Sequence, residues 1–269
     1  MQQRQIPFPE KGDHRFFATA RERFAATATE RFCVPAPLET NKNVQGGCSD
    51  GEKYYFQAFI HRDNPSGQEQ NEVRVVKIDM ASGEVVKMSR NLWLHHANDM
   101  TFNPKTGKLL VCNNAPHRNW LTVLDPETLE MERTIELPVQ IFGITYNEKR
   151  DVYAAGISFG KSFCLLDANF KVIDDKIYPP TPLTERYVNQ GIGSDDDFIY
   201  FAFWDGYTLK NDPESFQSTL AAYRWNGEFA GLIDFDIGPR EPENVSSHGG
   251  KLLLVAGDAG VMRCYELTP

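Results

Sequence analysis

The fold of this chain is decided by the stretch ANDMTFNPKTGKLLVCNN at residues 97–114, which is followed by LTVLDPETLEMERTI at 121–135. In each stretch a short apolar strand leads into a polar turn, and a second strand leads out of it. The turns contain Asn-Pro-Lys-Thr-Gly (103–107) and Asp-Pro (125–126), residue types that favour a tight reversal of the backbone. Together the two stretches predict four antiparallel strands joined by short turns.

The first half of this pattern recurs at 44–59, 141–157, 188–205 and 243–258. The repeats align at Gln45, Asn98, Phe142, Gln190 and Glu243, and successive positions lie 44 to 53 residues apart. Four strands in about 40–50 residues is the period of a propeller blade. The sequence therefore predicts an all-β, five-bladed β-propeller of four-stranded antiparallel blades, formed by residues 1–269 as a single domain.

The last repeat is incomplete, because it stops after three strands at VMRCYELTP (261–269). Residues 30–34 form a strand-like segment that is free to supply the missing outer strand. We expect this pairing to complete the last blade, join the two termini and leave no open sheet edge. Residues 16–30 fit either a short helix or another strand, and residues 1–27 are predicted to be an arm that packs on the propeller.

The composition excludes several classes of protein. The chain has 269 residues, a net charge of −9, and 41% hydrophobic and 12% aromatic residues, which is typical of a globular domain rather than a disordered chain. The acidic balance argues against a nucleic-acid-binding surface. No apolar run approaches the roughly 20 residues that span a bilayer, and the charged N-terminal segment is unlike a signal peptide. We therefore predict a cytoplasmic protein with no nucleic-acid or membrane partner.

The five cysteines are widely spaced and form no C-x-x-C pair; they are Cys33, Cys48, Cys112, Cys164 and Cys264. An odd number at such spacings argues against a disulfide framework or a zinc knuckle. They are predicted to be reduced and mostly buried.

Propeller topology brings many polar residues to one mouth of the central channel. The innermost strand of each blade crosses from one face to the other and the second strand returns, so the start of the first and the end of the second share a face. The residues there that are predicted to bind a ligand are Gln45, His61, Asn98, Asn114, Arg186, Asn189, Gln190, Trp204, Asn244 and Asp258. Such a lining favours a small ligand with many hydroxyl or amide groups. Alternatively, the amides only satisfy backbone groups of the innermost strands and ordered water.

The opposite face is predicted to carry plain hairpin turns, at 49–51, 103–107, 147–150 and 195–197. His248 falls in another hairpin turn, and we expect it to be solvated. The acidic turn at 195–197 lacks the spaced oxygen ligands and the closing Glu of a calcium loop.

Four residues at the predicted mouth have side chains suited to catalysis: His95, His96, Asp99 and Glu243. Histidine titrates near neutral pH, so His95 or His96 is predicted to be a general base, with Asp99 or Glu243 as an acid or orienting group. In a strand the two histidines would point to opposite sides and could not both bind one metal. A glycosidase with a carboxylate pair from different blades is an alternative, and its candidates are Asp99, Asp205, Glu243 and Asp258.

Two further side chains have two interpretations each. Arg186 fits a clamp for a carboxylate or phosphate, or an ion pair with Glu185. Trp204 offers a face for stacking a sugar or aromatic ring, or packs between blades. The chain contains no P-loop, zincin or nucleophile-elbow motif, which excludes the chemistry that those motifs carry.

The second repeat, ANDMTFNPKTGKLLVCNN with LTVLDPETLEMERTI, resembles the repeats of the YVTN, NHL and SMP-30-like β-propellers. The resemblance covers nearly the whole chain and implies an architecture more than an activity. Five-bladed members of the wider class include glutaminyl cyclases and several glycoside-processing enzymes. SMP-30-type lactonases use an acidic, Asn-rich metal site in the channel, and Asn98, Asp99, Asn189 and Glu243 occupy comparable positions without the matching local motifs. A channel-bound divalent metal follows from the resemblance alone, and no cofactor is otherwise predicted.

Two functions follow from these patterns. The first is binding of a small carbohydrate-like or peptide-like ligand at the channel mouth, with hydrolysis, elimination or isomerisation of that ligand. The second is a non-catalytic interaction scaffold, in which the long segments at 61–72 and 205–218 contact a partner protein.

Overall fold

The computed structural model describes residues 6–7, 22–38, 42–61, 72–157, 162–173, 187–205 and 218–268. Within these ranges the protein consists of twenty β-strands joined by turns, with no helix. Of residues 16–30, the structure describes 22–30, and these belong to a strand rather than to a helix. Of the predicted arm, only residues 6–7 and 22–27 lie in the described part of the chain.

The first three repeats form separate antiparallel sheets, here called units one to three. Unit one contains β3 (Lys42–Ser49), β4 (Tyr54–His61), β5 (Glu72–Asp79) and β6 (Val85–Met88). Unit two contains β7 (Asp99–Asn103), β8 (Lys108–Cys112), β9 (Trp120–Leu124) and β10 (Met131–Glu136). Unit three contains β11 (Gly143–Asn147), β12 (Val152–Ile157) and β13 (Ser162–Asp167). The predicted four-stranded blade requires an outer strand after β13; the chain is described there only to residue 173, and Val172 forms a single bridge with Leu166.

The remaining strands form one nine-stranded sheet. Unit four contains β14 (Val188–Ser194), β15 (Phe198–Trp204), β16 (Ser218–Arg224) and β17 (Phe229–Phe235). Unit five contains β18 (Glu241–His248), β19 (Lys251–Asp258) and β20 (Val261–Thr268). The strand β2 (Glu22–Pro35) lies between β17 and β20 and joins the two units, while β1 (Ile6–Pro7) pairs with β2.

The strand β2 acts as a clasp along two units. Its residues 27–35 run antiparallel to β20, with Cys33 opposite Arg263 and Val34 opposite Met262. The pairing predicted for residues 30–34 is therefore confirmed. Residues 22–26 continue in parallel along β17, which the sequence did not predict. Because this extension covers the outer edge of unit four as well, it turns two expected sheets into one.

The five innermost strands pack in closed order: β3 on β7, β7 on β11, β11 on β14, β14 on β18, and β18 on β3. A separate hydrophobic cluster fills the space between each pair of consecutive units. Phe56 and Val111, for example, pack between units one and two, and Tyr200 and Leu254 pack between units four and five. Apolar burial therefore holds each unit to its neighbours, while the innermost strands carry buried polar side chains, among them Asp99, Asn189 and Asn244.

All five cysteines are unpaired, and four of them are buried. No helix that could cross a bilayer occurs in the described part of the chain.

Candidate functional site

The residues predicted to line one channel mouth are here called the amide mouth, and those that the structure describes lie near the start of a first strand or the end of a second strand. Asp99 at the start of β7 pairs with Cys112 at the end of β8, and Val188 at the start of β14 pairs with Trp204 at the end of β15. Arg186 lies outside the described residues, as do 62–71 and 206–217 of the two predicted loops. His61 ends β4 on this face and is partly exposed, while Gln45 is 8% exposed.

Three of the amides at this mouth bind backbone carbonyls. The Asn98 side chain donates to the Phe142 carbonyl at 2.7 Å, and that of Asn244 donates to the Gly47 carbonyl at 2.8 Å. The Asn189 amide donates to two carbonyls of its own unit, those of Gly191 and Ala202. Asn98 and Asn244 thus link neighbouring innermost strands, which agrees with the alternative that these amides satisfy backbone groups.

The Asp99 carboxylate lies inside the channel. One oxygen accepts the backbone N–H of Met100 at 2.9 Å, and the other accepts those of Ile144 and Ile192 at 3.1 Å each. Because Ile192 belongs to β14, which is not adjacent to β7 in the ring, the side chain spans the channel. Asp99 is fully buried, and burial raises its pKa well above the ordinary value despite the three N–H donors. In this arrangement Asp99 bridges strands, and its catalytic role stays a prediction.

The two candidate histidines do not lie in a strand. His95 and His96 occupy a turn before β7, and His95 has a left-handed φ of 56°. The expectation that their side chains alternate across a strand is therefore wrong. Ala97 (φ 47°) and Asn114 (φ 57°) are left-handed as well, which is uncommon for residues other than glycine. The Asn114 amide donates to Asn98 Oδ1 at 3.1 Å and connects this strained segment to the channel rim.

Aromatic rings stand beside His95. The His117 ring stacks on Trp120 with 3.7 Å between centroids, and its centroid lies 5.2 Å from that of His95. His95 is 5% exposed, and its Nδ1 has no hydrogen-bond partner. Burial, and secondarily His117, lowers the pKa of His95, so its imidazole is neutral at pH 7.

The other predicted residues are dispersed over this mouth. Gln190 donates a hydrogen bond to Glu241. Asp258 accepts hydrogen bonds from Arg240 and Arg263 at 3.1 Å each, and these hold its pKa below the ordinary value. Trp204 Nε1 is buried without a hydrogen-bond partner. Glu243 is 7% exposed, and its Oε1 approaches Gly257. No group of three or more His, Cys, Asp or Glu is arranged to hold a metal ion among the residues that the structure describes.

The opposite end of the channel opens into a cavity of about 390 Å³, here called the turn-side cavity. Every innermost strand contributes a hydroxyl-bearing residue to its wall; they are Ser49, Thr101, Thr145, Ser194 and Ser246. The predicted hairpin turns lie on this face, and they surround a cavity that the sequence analysis did not predict. A signal was present in the sequence, because each hydroxyl follows the aligned repeat position by three or four residues.

Carboxylates surround the turn-side cavity. Its lining includes Asp50, Glu148, Asp195, Asp196 and Asp197, and contains no Lys or Arg among the described residues. The Asp195 turn is rigidly held, because its carboxylate accepts the Tyr200 hydroxyl at 2.7 Å and two backbone N–H groups. Burial raises the pKa of Asp195. The cavity is thus lined by hydroxyls and lies in a negative potential.

His248 also departs from the sequence expectation. It is partly buried rather than fully solvated, and its Nδ1 lies 2.7 Å from Ser49 Oγ on the wall of the turn-side cavity. The two residues are 199 positions apart in the chain, so only the closure of unit five on unit one brings them together.

No protein-family model matches the chain, and no curated protein sequence matches it. Its structure is similar to that of Myxococcus xanthus glutaminyl cyclase, with a TM-score of 0.59, 13% identity, and coverage of 91% of this chain and 97% of that one. It is also similar to the tail fiber of Staphylococcus aureus phage P68, with a TM-score of 0.60, 12% identity, and coverage of 89% of this chain and 52% of that one. The Neurospora crassa Pan2 WD40 domain matches with a TM-score of 0.44 and 12% identity over 89% of this chain. The fold is all-β and propeller-like.

Proposed function

We propose that the protein is a five-bladed β-propeller that binds a small polar ligand in the turn-side cavity. Closed packing of five innermost strands, with a hydrophobic cluster between each pair of consecutive units, supports the blade count. The all-β likeness to the glutaminyl cyclase supports the architecture alone, because identity is only 13%.

One observation carries the binding proposal: all five innermost strands direct a hydroxyl-bearing residue to the same cavity wall. Hydroxyls both donate and accept, so they match a ligand rich in hydroxyl or amide groups. The surrounding carboxylates repel anions. A volume of about 390 Å³ suits a molecule of one or two rings. The ligand class is therefore a neutral or amine-bearing carbohydrate-like or peptide-like metabolite.

The variant Thr145→Val tests this proposal, because it removes one cavity hydroxyl at nearly constant volume. Neutral sugars, amino sugars, polyols and dipeptides are screened by thermal shift, and hits are measured by calorimetry. We expect Thr145→Val to weaken a hit by about 10-fold, the value of one hydrogen bond of about 1.4 kcal/mol. Asn114→Ala, at the amide mouth, is the matched control and should leave the affinity unchanged. A hit that loses affinity only in Asn114→Ala would place the site at the amide mouth instead.

The amide mouth is a second candidate site, favoured by one cluster. Buried His95 has an unpartnered Nδ1 beside the stacked His117 and Trp120, and it lies with Ala97 in a segment that contains two left-handed residues. Strain of this kind concentrates at ligand sites. We retain His95 or His96 as a base with Asp99 or Glu243 as an acid or orienting group, and Arg186 as an anion clamp, as proposals for this mouth. Loss of binding of a screened hit in His95→Ala would identify the amide mouth as the binding site.

The scaffold function has its own supporting observation. Val85, Val86 and Met88 on the outer strand β6 are 43–53% exposed, and nearby Trp93 is 59% exposed. Exposed apolar side chains on a sheet edge favour contact with a partner. Cytoplasmic location is likewise a proposal, supported by five unpaired thiols.

A further inference from the structure

Ser49 and His248 form a hydrogen-bonded pair at the edge of the turn-side cavity. Ser49 Oγ lies 2.7 Å from His248 Nδ1, and Ser49 lines the cavity. His248 follows Ser247, another lining residue, and is not itself part of the wall. Ser49 therefore lies on the cavity wall, and the imidazole bonded to its hydroxyl belongs to a residue outside that wall.

The surrounding turns hold this pair in place. Ser49 Oγ accepts the backbone N–H of Gly51 at 2.9 Å, so one lone pair is already oriented. The backbone N–H of Gly249 donates to the Gly51 carbonyl at 3.4 Å and ties the β18–β19 turn to the β3–β4 turn. Gly249, at φ 55°, lets the chain reverse next to His248.

The protonation state suits a base. Burial lowers the pKa of His248, and Lys251 on β19 lowers it further, whereas Asp50 in the β3–β4 turn opposes both. The imidazole is therefore neutral at pH 7, and in the tautomer that carries its proton on Nε2, Nδ1 accepts the Ser49 hydroxyl.

We propose that Ser49 is a nucleophile and His248 its general base, and that they hydrolyse small neutral or amine-bearing esters held in the turn-side cavity. This inference rests on the proposed binding function of that cavity. A hydroxyl hydrogen-bonded to a neutral imidazole at a cavity wall supplies the nucleophile and the base of nucleophilic acyl transfer.

The reaction balances with water as the only co-reactant. Ser49 Oγ bonds to the acyl carbon as its proton moves to His248 Nδ1. The ester C–O bond then breaks, and the proton passes to the leaving alcohol. Water next attacks the acyl group and gives a proton to His248; the acyl–Oγ bond then breaks, the proton returns from His248 to Ser49 Oγ, and the carboxylic acid is released. The product acid is an anion, so the carboxylates around the cavity favour its departure.

The experiment uses the full chain and a neutral fluorophosphonate ester as the probe, with the labelled residue mapped by mass spectrometry. Hydrolysis of p-nitrophenyl acetate is the second readout. Three variants are compared: Ser49→Ala, His248→Asn and Ser82→Ala. The Asn variant keeps an amide nitrogen near the position of Nδ1 but cannot act as a base. Ser82 is the matched control, because its hydroxyl also accepts an N–H two residues on, from Glu84, in the β5–β6 turn.

We expect the label on Ser49, its loss in Ser49→Ala, and a rate at least about 100-fold lower in His248→Asn, the usual contribution of a general base. Thermal stability of His248→Asn should change little, and Ser82→Ala should react like the wild type. The wild-type labelling rate should rise with pH through a midpoint below about 6.5, the ordinary value for histidine. That transition should be absent in His248→Asn.

Labelling elsewhere, or equal rates in the wild type and His248→Asn, would overturn the inference. The contact between Ser49 and His248 would then serve only to link units one and five. If Ser49→Ala fails to fold, mapping on the wild type and the His248→Asn rate still decide. If ligand affinity responds to Thr145→Val but Ser49 takes no label, the binding function stands and only the esterase chemistry fails.

Discussion

A single carboxylate organises the centre of the channel. Asp99 accepts N–H groups from β7, β11 and β14, and its neighbours leave room for it. A Cβ at Gly143 would lie 2.5 Å from Asp99 Oδ2, and one at Gly46 would collide with the Asp99 backbone. Burial, and next the negative field of Asp99, raises the pKa of the Cys112 thiol, which keeps that thiol protonated. The absence of a side chain at Gly143 thus leaves room for the Asp99 carboxylate.

The raised pKa of Asp99 predicts an unusual dependence of stability on pH. The folded protein retains this proton at pH values where the unfolded chain, with a pKa of about 3.9, has lost it. The stabilisation is therefore full below that pH and declines as pH rises towards the folded pKa, by up to about 1.4 kcal/mol per pH unit. In Asp99→Asn this decline should disappear. Urea unfolding followed by tryptophan fluorescence from pH 4.5 to 8 measures it, and parallel curves for both proteins would contradict the prediction.

At the scale of strands and turns, an aspartate that binds the backbone of the following turn recurs at the end of the third strand in units one, two and three. Asp79, Asp125 and Asp167 each accept backbone N–H groups from the following turn. In the second unit, the Thr128 N–H and then Lys108 lower the pKa of Asp125 to about 2. An aspartate that binds its own turn favours a tight reversal, so these residues set where one strand ends and the next begins.

Asp125→Ala should weaken the hairpin between β9 and β10. The loss of its two backbone hydrogen bonds, from Glu127 and Thr128, should cost about 1 kcal/mol of unfolding free energy at pH 7. Because the folded pKa is depressed, the contribution of Asp125 is present above about pH 4 and is lost as pH falls towards 2. The difference between the two proteins in denaturant should therefore shrink between pH 7 and 3. Asp125→Asn, which can still accept these bonds, is the control and should lose less.

For the whole molecule, closure depends on β2. Its first residues lie along β17 and its last residues along β20, so it crosses the junction between units four and five. Arg23 on β2 makes a two-pronged ion pair with Asp234 on β17, with Arg23 Nη2 at 2.8 Å from Asp234 Oδ1. The Asp234 side chain is only 3% exposed and that of Arg23 is 29% exposed. A largely buried carboxylate therefore relies on this strand for its counter-charge.

Arg23→Gln should lower the free energy of unfolding by about 2 kcal/mol, because it leaves Asp234 buried without its cation. Adding Asp234→Asn should restore part of that loss, so the two changes should combine less than additively. Chemical denaturation of the single and double variants measures the coupling. Additive losses would show that the pair contributes nothing to holding β2 against unit four.

Much of the architecture follows from local features of the sequence. Apolar alternation and turn residues such as those at 103–107 and 125–126 determine strands and reversals over a few residues, and the repeat spacing determines how often they recur. The incomplete last repeat also identified residues 30–34 as its partner, which the pairing with β20 confirms. These predictions succeed because each depends on neighbours in the chain, or on the simple requirement that a strand edge be covered.

The tertiary structure alone decided what the polar residues do. From the sequence, Asn98 and Asn244 could equally have faced a ligand. In the structure the adjacent innermost strands are close enough that both amides donate hydrogen bonds to carbonyls of the next unit. The turn-side cavity and the contact between Ser49 and His248 depend on how separate repeats meet around the channel. A hydrogen bond forms or fails over a few tenths of an ångström, and that distance is set by the packing of whole units rather than by any stretch of sequence.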